Sequence, residues 1–235
     1  MPIWDLPERG TRGPKPRYDR AAIAAAAIRI ADAEGADALT MRRVASALGI
    51  ATMSLYNYVP AKDHLIQLMC DQLAGDYPSA TPADKRPAIA ELARQARDIA
   101  RRHPWLPGLL HRLPPPGPNG LRYLDHFLGL LADSGLDTGA KMEVISLISG
   151  FATMYGGMQA VLASERAGTG SSAQERAAAP VQALARAAAS GQYPHLAAAL
   201  AAAGAARGED DVFESAIMRL IDVARPNDHA KRPIR

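Results

Sequence analysis

Residues 39–65 read LTMRRVASALGIATMSLYNYVPAKDHL, and the spacing in this stretch predicts two short helices around a tight turn. Thr40 is a good N-cap for a helix over 41–48, because its side-chain oxygen can accept a hydrogen bond from a first-turn amide. Gly49 ends that helix, since glycine readily adopts the left-handed conformation that such a turn requires. The pattern therefore predicts a bracing helix, a turn and a second short helix.

The second short helix is predicted over 52–58. Leu55 is its inward-facing anchor, whereas its other side chains are mostly hydroxylated or aromatic groups that the core of a small domain does not need. Pro60 breaks the helix. A preceding helix over 20–34 completes three helices with a glycine turn, which is the spacing of a helix-turn-helix.

The side chains that such a motif presents to the major groove are the candidate DNA contacts. Hydroxyl groups can bond to base edges, and a flexible thioether can meet a thymine methyl group. Basic side chains in the first turns of the second and fourth helices can reach phosphates. The predicted DNA-binding residues are Arg42, Thr52, Met53, Ser54, Tyr56, Tyr58 and Lys62.

Alternative roles stay open for several of these side chains at the level of sequence. The ring of Tyr56 can pack against the first and fourth helices while its hydroxyl group stays outside. Arg42, Arg43 and Lys62 can belong to a solvated face, and for Arg43 this reading is preferred.

The composition predicts an all-α globular protein. The chain has 235 residues, 48% of them hydrophobic, which suffices for a sizeable core, and no stretch shows the dense β-branched alternation of strands. The single cysteine, Cys70, cannot form an internal disulfide. Neither a signal peptide nor a run of about 18 uncharged apolar residues is recognised, so a soluble, cytoplasmic protein is expected.

Basic residues are concentrated near the N-terminus, although the formal net charge is only +3. Glycines and prolines lie among them, so residues 1–18 are predicted to be a flexible basic arm, either solvated or in contact with phosphates or a minor groove. Residues 225–235 are predicted to be a flexible tail. The basic residues in question are Arg9, Arg12, Lys15, Arg17 and Arg20.

The remaining chain is predicted to be helix after helix. The helix-turn-helix domain is assigned to residues 19–65, and a larger regulatory and dimerisation domain to residues 66–224, joined through the fourth helix. Prolines restrict one segment to a short turn near 106–112. The predicted helices span 62–76, 84–102, 118–133, 138–164, 174–189, 193–203 and 210–224.

The helix over 138–164 contains Gly150, Gly156 and Gly157, each costing roughly 1 kcal/mol relative to alanine. Such glycines serve close approach, a kink or space for a ligand. Apolar side chains nearby, together with a few aromatic or polar ones elsewhere, are candidates for a ligand pocket, although each can equally belong to the core or to a dimer interface. The candidate ligand-binding residues are Trp105, His126, Phe127, Met142, Phe151, Tyr155 and Met158.

The stretch LTMRRVASALGIATMSLYNYVPAKDHLIQLM resembles the DNA-binding domain of the TetR family of transcriptional repressors, with similarity over about residues 19–75. It carries a Leu-Gly-Ile turn, a Leu-Tyr pair in the recognition helix and a later Lys-Asp followed by leucine. The segments RRHPWLPGLL and PPPGPNGLRYLDHFLGLLADSGL resemble the tetracycline-repressor type of regulatory domain. The resemblance implies an Ω-shaped homodimer with a four-helix interface, an inducer cavity and a palindromic operator.

These patterns predict a ligand-responsive regulator that binds double-stranded operator DNA as a homodimer, represses transcription and is released by a small-molecule inducer. No enzyme is predicted, because the chain has no GxSxG, no Walker-type loop and no GxGxxG. No metal site or cofactor is predicted, because the six histidines lack metal-ligand spacing. The alternative is a helical protein-interaction or structural protein that does not bind DNA.

Overall fold

A computed structural model describes residues 1–7, 18–77, 84–110, 115–167, 171–202 and 207–223, with the backbone alone described for 171–177 and 223. All α-helices and two short 3-10 turns account for the regular structure of these ranges, which confirms the all-α prediction. The helices are α1 (Arg20–Glu34), α2 (Met41–Leu48), α3 (Thr52–Tyr56), α4 (Lys62–Ala74), α5 (Lys85–Arg102), α6 (Leu106–Leu110), α7 (Pro118–Leu130), α8 (Thr138–Ala167), α9 (Ser171–Ala189), α10 (Pro194–Ala201) and α11 (Glu209–Val223).

Local capping explains why α1 and α2 have the predicted boundaries. The Asp19 carboxylate accepts a hydrogen bond of 2.7 Å from the amide of Ala22, and the Thr40 hydroxyl accepts one of 3.1 Å from the amide of Arg43. Gly49 ends α2 in the left-handed conformation with φ 64°. These groups satisfy free amides at the starts of the helices and turn the chain after α2.

The predicted helix over 52–58 is two residues too long. The helix α3 ends at Tyr56, and Val59 is then fully buried in the core ahead of Pro60. The ends of the other helices lie within three residues of their predicted positions.

The first apolar core holds α1 to α4 together and extends beyond them. Side chains of α4 dominate it, and α6 contributes from the C-terminal side, so this core does not stop at residue 65. Burial of each large aliphatic side chain contributes about 1.5–3 kcal/mol. Its fully buried members with large side chains include Ile3, Ile23, Leu39, Val44, Leu55, Leu65, Ile66 and Met69.

A second apolar core is formed by α5, α7, α8 and α11, with α8 packed along α5. Phe127 and Phe213 are both fully buried in it. The guanidinium of Arg97 lies 4.5 Å from the centroid of the Phe213 ring and 3.0 Å from the carboxylate of Asp210. This buried cation therefore fixes the start of α11 against α5.

The long helix α8 corrects the expectation that no segment resembles a membrane span. By length and composition alone, Thr138–Ala167 is sufficient to cross a membrane, and residues 144–164 contain no Asp, Glu, Lys or Arg. A core helix passes the same test, and α8 packs here against α5, α7 and α11. One such helix is therefore weak support for a membrane protein.

The first seven residues also differ from the prediction of a flexible arm. Ile3 is fully buried, and its amide donates a 2.9 Å hydrogen bond to the side chain of Gln67. Arg20, counted among the basic residues of the arm, donates to the carbonyl oxygens of Ile3 and Leu6 instead. Residues 8–17, with the other four basic residues, and the predicted tail at 225–235 lie outside the described residues.

The three glycines of α8 have different surroundings. A Cβ added to Gly156 would overlap the main-chain carbonyl of Arg97, and one added to Gly157 would lie 2.8 Å from the ring of Pro107. These two glycines therefore allow close approach by α5 and α6. Gly150, by contrast, has open space around it.

We predict that Gly156→Ala lowers the free energy of unfolding by about 1–3 kcal/mol, because α8 and the α5 backbone would have to separate. Urea denaturation at fixed protein concentration measures the change. Gly129→Ala in α7 is the matched control, since its Cβ meets nothing within 4 Å. That substitution should raise stability by about 0.4–1 kcal/mol. Equal effects of the two substitutions would contradict the close packing inferred for Gly156.

Candidate DNA-binding surface and ligand cavity

The helix α3 is held by one side chain and exposes most of the others. Leu55 is fully buried in the first core, whereas Met53 is 75% exposed and Ser54 is exposed. The left-handed turn at Gly49 sets α3 across the end of α2. Because the buried anchor is single, the remaining face of α3 is available for an external partner.

The structure brings the seven predicted DNA-binding residues to one end of the N-terminal domain. Thr52 and Tyr58 are half-buried, and Tyr58 packs partly against the first core, whereas Tyr56 is 39% exposed. Tyr56 is thus the more accessible of the two tyrosines. The exposed members of the set are Arg42, Met53, Ser54, Tyr56 and Lys62. We call the full set of seven residues the α3 surface.

The two neighbouring arginines of α2 have different environments. Arg43 makes a salt bridge with Glu34 of α1, with the guanidinium Nε 3.1 Å from a carboxylate oxygen. This hydrogen bond holds the pKa of Glu34 below its ordinary value. Arg42 is exposed in the first turn of α2. The preferred sequence reading of Arg43 as part of a solvated face agrees with this ion pair.

Two contacts that the sequence does not reveal brace this domain. The hydroxyl group of Tyr18 donates a 2.5 Å hydrogen bond to the carbonyl oxygen of Leu48, which ties the start of α1 to the end of α2. The indole of Trp105 donates to the carboxylate of Asp32 at 2.7 Å. Trp105, a candidate ligand contact, is therefore a buried part of the first core that joins α6 to α1.

The other candidate ligand residues are dispersed. Phe127 is fully buried in the second core. Phe151 and Tyr155 pack around Phe213, and the Tyr155 hydroxyl donates to the carbonyl oxygen of Glu209 at 2.8 Å. Met142 and Met158 are exposed on α8. Among the cavities of the described residues, only His126 of the predicted set lines one, so the prediction of a common pocket from these seven residues needs correction.

That cavity has a volume of about 210 Å³ and lies between the end of α4 and one face of α7. We call it the α4–α7 cavity. Four of its lining residues occupy positions i, i+3, i+4 and i+7 on α7, which is the spacing of one helix face. This spacing was the sequence signal that could have found them. The lining residues are Ala74, Gly75, Tyr77, Asn119, Arg122, Tyr123 and His126.

Two tyrosines give the α4–α7 cavity an aromatic wall. The ring centroids of Tyr77 and Tyr123 are 4.3 Å apart, and the Tyr123 hydroxyl shares a 2.7 Å hydrogen bond with the hydroxyl of Ser149. Burial raises the pKa of Tyr123 to about 12, against the lowering effect of Ser149, and burial raises the pKa of Tyr77 well above its ordinary value. Both phenols are therefore neutral near pH 7.

A further cavity of about 200 Å³ lies where α5, α7, α8 and α11 meet. Its wall is mainly apolar, with Lys85 and Arg86 at the edge. Each cation is already paired, Lys85 with Asp133 and Arg86 with Asp222. We call it the α5–α11 cavity.

No group of three or more His, Cys, Asp or Glu side chains is placed to hold a metal ion among the residues with described side chains. Cys70 is buried against the first core, and burial raises the pKa of its thiol to about 12. The site chemistry available in these ranges is thus hydrogen bonding, aromatic contact and cationic charge.

A helix-turn-helix with one exposed recognition helix, joined through a shared helix to a larger helical domain with internal cavities, defines a class of transcriptional regulators. Residues 23–69 match the bacterial regulatory proteins of the tetR family, and residues 78–223 match the tetracyclin repressor-like C-terminal domain. The chain belongs to the TetR family of transcriptional regulators, as its sequence predicts.

Comparisons with individual proteins agree with this assignment. The HTH-type transcriptional repressor DrrR1 of Streptomyces coeruleorubidus is 38% identical over 200 residues, covering 83% of this chain and 73% of DrrR1. Apo ActR of Streptomyces coelicolor is 25% identical, with a TM-score of 0.70 over 90% of this chain and 96% of ActR. ActR in complex with actinorhodin is 25% identical, with a TM-score of 0.73 over 88% and 95% of the respective chains.

Proposed function

We propose that this protein is a repressor that binds a palindromic operator as a homodimer through the α3 surface and is released by a small molecule. The observation that carries the proposal is the exposure of Met53, Ser54 and Tyr56 on a short helix whose Leu55 alone is fully buried. Its relative DrrR1 is a transcriptional repressor. Such a function would place the protein in the cytoplasm with the DNA.

DNA binding would combine base contacts with phosphate contacts. The hydroxyl groups of Thr52, Ser54 and Tyr56 can bond to base edges, and the Met53 side chain can contact a thymine methyl group. Lys62 lies in the first turn of α4, where free amides also favour a phosphate. Two copies of α3 separated by ~34 Å would enter successive major grooves on one side of a palindrome.

We predict that Tyr56→Ala and Lys62→Ala each abolish footprints on the protein's own upstream region while thermal stability stays nearly unchanged. The reason is that both side chains are exposed, so truncation leaves the core intact. Lys62→Ala should also flatten the dependence of affinity on salt by about one unit of slope, the value for one lost phosphate contact. Footprinting and fluorescence anisotropy at several salt concentrations give both quantities.

Lys141→Ala, which removes an exposed-end cation on α8, is the control for the loss of positive charge and should bind DNA as the unmodified protein does. A wild-type protein that binds no upstream fragment even at low salt would favour the alternative of a helical protein-interaction or structural protein. Unfolding of the Tyr56 or Lys62 variant would instead assign those side chains to the core.

Dimerisation is supported by an apolar face that this chain leaves exposed. Leu147, Met154 and Val161 recur at seven-residue spacing along α8, and Met154 is 67% exposed. Val181 and Leu184 are exposed on the adjacent helix α9. Contiguous exposed apolar side chains mark interaction surfaces, and a two-fold axis would join the two helices of each copy into a four-helix interface. Gly150 on the same face of α8 leaves room for a close approach.

We predict that Met154→Glu converts the dimer into a monomer, because it would bury an unpaired charge at the centre of the interface. Light scattering after size-exclusion chromatography should give twice the 24.9 kDa of one chain for the wild type and 24.9 kDa for the variant. Leu121→Glu is the control, since Leu121 is an exposed apolar residue on α7. A Leu121→Glu monomer with a Met154→Glu dimer would place the interface on another face.

The α4–α7 cavity is the proposed inducer site. Its aromatic wall, the amide of Asn119 and the guanidinium of Arg122 suit an aromatic molecule that carries oxygen substituents. ActR, which has this fold, is known in complex with actinorhodin. A volume of about 210 Å³ is below the ~300 Å³ of a typical ligand pocket, so a larger ligand would press α4 away from α7. Such a ligand would favour a dimer spacing that does not fit DNA.

We predict that Arg122→Ala weakens the binding of actinorhodin, used as a probe, by about tenfold, because one charged hydrogen-bond donor contributes roughly 1.5 kcal/mol. Isothermal titration calorimetry measures the affinity. Arg86→Ala at the α5–α11 cavity is the matched control and should leave the affinity unchanged. A loss of affinity in the Arg86 variant alone would move the inducer site to the α5–α11 cavity.

A further inference from the structure

We infer that Asp71 of α4 is a positioning residue that fastens the start of α7 to α4, so that the two helices move as one unit. The inference rests on the proposed function, because it assigns the path by which the α4–α7 cavity and the α3 surface influence each other. Asp71 is a carboxylate in the middle of an otherwise apolar helix and is only 8% exposed. A buried carboxylate needs strong hydrogen-bond partners.

Those partners are the free amides at the start of α7. The residue before this helix is Gly117, which has no side chain with which to cap it. One carboxylate oxygen of Asp71 accepts hydrogen bonds from the amides of Asn119 and Gly120, each at 2.9 Å. The first turn of α7 is therefore capped by a side chain from α4 and not by its own sequence.

A second link runs in the opposite direction. The side-chain amide of Asn119 donates a 2.9 Å hydrogen bond to the main-chain carbonyl oxygen of Asp71. Asn119 also lines the α4–α7 cavity, beside Gly75, where an added Cβ would lie 3.1 Å from the Asn119 amide nitrogen. A ligand that displaces Asn119 would therefore pull directly on the backbone of α4.

The N-terminal segment covers this joint. A Cβ at Gly117 would overlap the ring of Trp4, and it would lie 2.5 Å from the carboxylate carbon of Asp71. Trp4 is kept there by the burial of Ile3 and by its hydrogen bond to Gln67 of α4. Glycine is thus required at position 117, and the capping bonds lie beneath an aromatic ring where water competes less.

The start of α8 provides a contrast within the same chain. There the carboxylate of Asp137 accepts a 2.8 Å hydrogen bond from the amide of Ala140, three residues away. A local cap stabilises its own helix but transmits nothing to another one. The cap of α7 reaches across 48 residues of sequence, so a displacement of α7 and a displacement of α4 are one event.

Linkage makes this joint testable without an identified inducer. If α4 and α7 are coupled, operator DNA bound at the α3 surface must slow opening at the start of α7, as an inducer there must weaken DNA binding. Hydrogen–deuterium exchange of the peptide covering residues 117–124 reports this opening. The probe is the upstream DNA fragment that footprinting defines.

In the free protein, Asp71→Ala should speed exchange in the 117–124 peptide, whereas Asp137→Ala should speed exchange only at the start of α8. On addition of DNA, exchange at 117–124 should slow about fivefold or more in the wild type and in Asp137→Ala, and less than about twofold in Asp71→Ala. Asn119→Ala, which keeps both backbone bonds, should give an intermediate slowing. Asp71→Asn keeps an accepting oxygen and should restore the response in part.

Unchanged exchange at 117–124 in the wild type upon DNA binding would overturn the inference, as would a full response in Asp71→Ala. Failure of the wild type to bind any fragment would instead refute the proposed function, and the free-protein comparison would still decide whether Asp71 caps α7. If Asp71→Ala does not fold by circular dichroism, Asn119→Ala and Asp71→Asn decide the question, and a wild-type response in Asn119→Ala would overturn the inference.

Discussion

The burial of α4 is the constraint on which the rest of the structure depends. Its apolar side chains, among them Leu65, Ile66 and Met69, fill the first core beneath the helix-turn-helix. Its polar residue Asp71 bonds instead to the start of α7 in the larger domain. Because one rigid helix serves both domains, neither can shift relative to α4 without breaking contacts with the other. A regulator of the TetR family requires this kind of mechanical connection.

The DNA-binding surface shows how little burial is needed to position a recognition helix. The helix α3 is only five residues long, too short to be stable alone, and depends on Leu55 and on the turn at Gly49. Val59 then returns the chain to the core. With these positions fixed, the hydroxyl, thioether and aromatic side chains of α3 are free of structural duty. Their composition is therefore evidence for an external partner.

The sequence was a reliable guide wherever the physics is local. Caps at Asp19 and Thr40, the glycine turn and the apolar periodicity of single helices depend on residues a few positions apart, and they predicted α1 and α2 with their boundaries. The family resemblance followed from the same short stretch. The ligand cavity was predicted poorly because its walls are brought together by packing. Trp105 and Tyr155, for example, have polar partners on other helices that no spacing reveals.

By itself, the sequence determined that the chain is all-helical, begins with a helix-turn-helix and belongs to the TetR family. Only the tertiary structure decided which polar face of α7 meets the end of α4, that Gly156 serves a helix crossing, and that residues 1–7 lie in the first core. It alone joined Asp71 to amides 48 and 49 residues away. The physical reason is that hydrogen bonds and close packing between helices depend on distances in space, which side-chain periodicity within one helix does not encode.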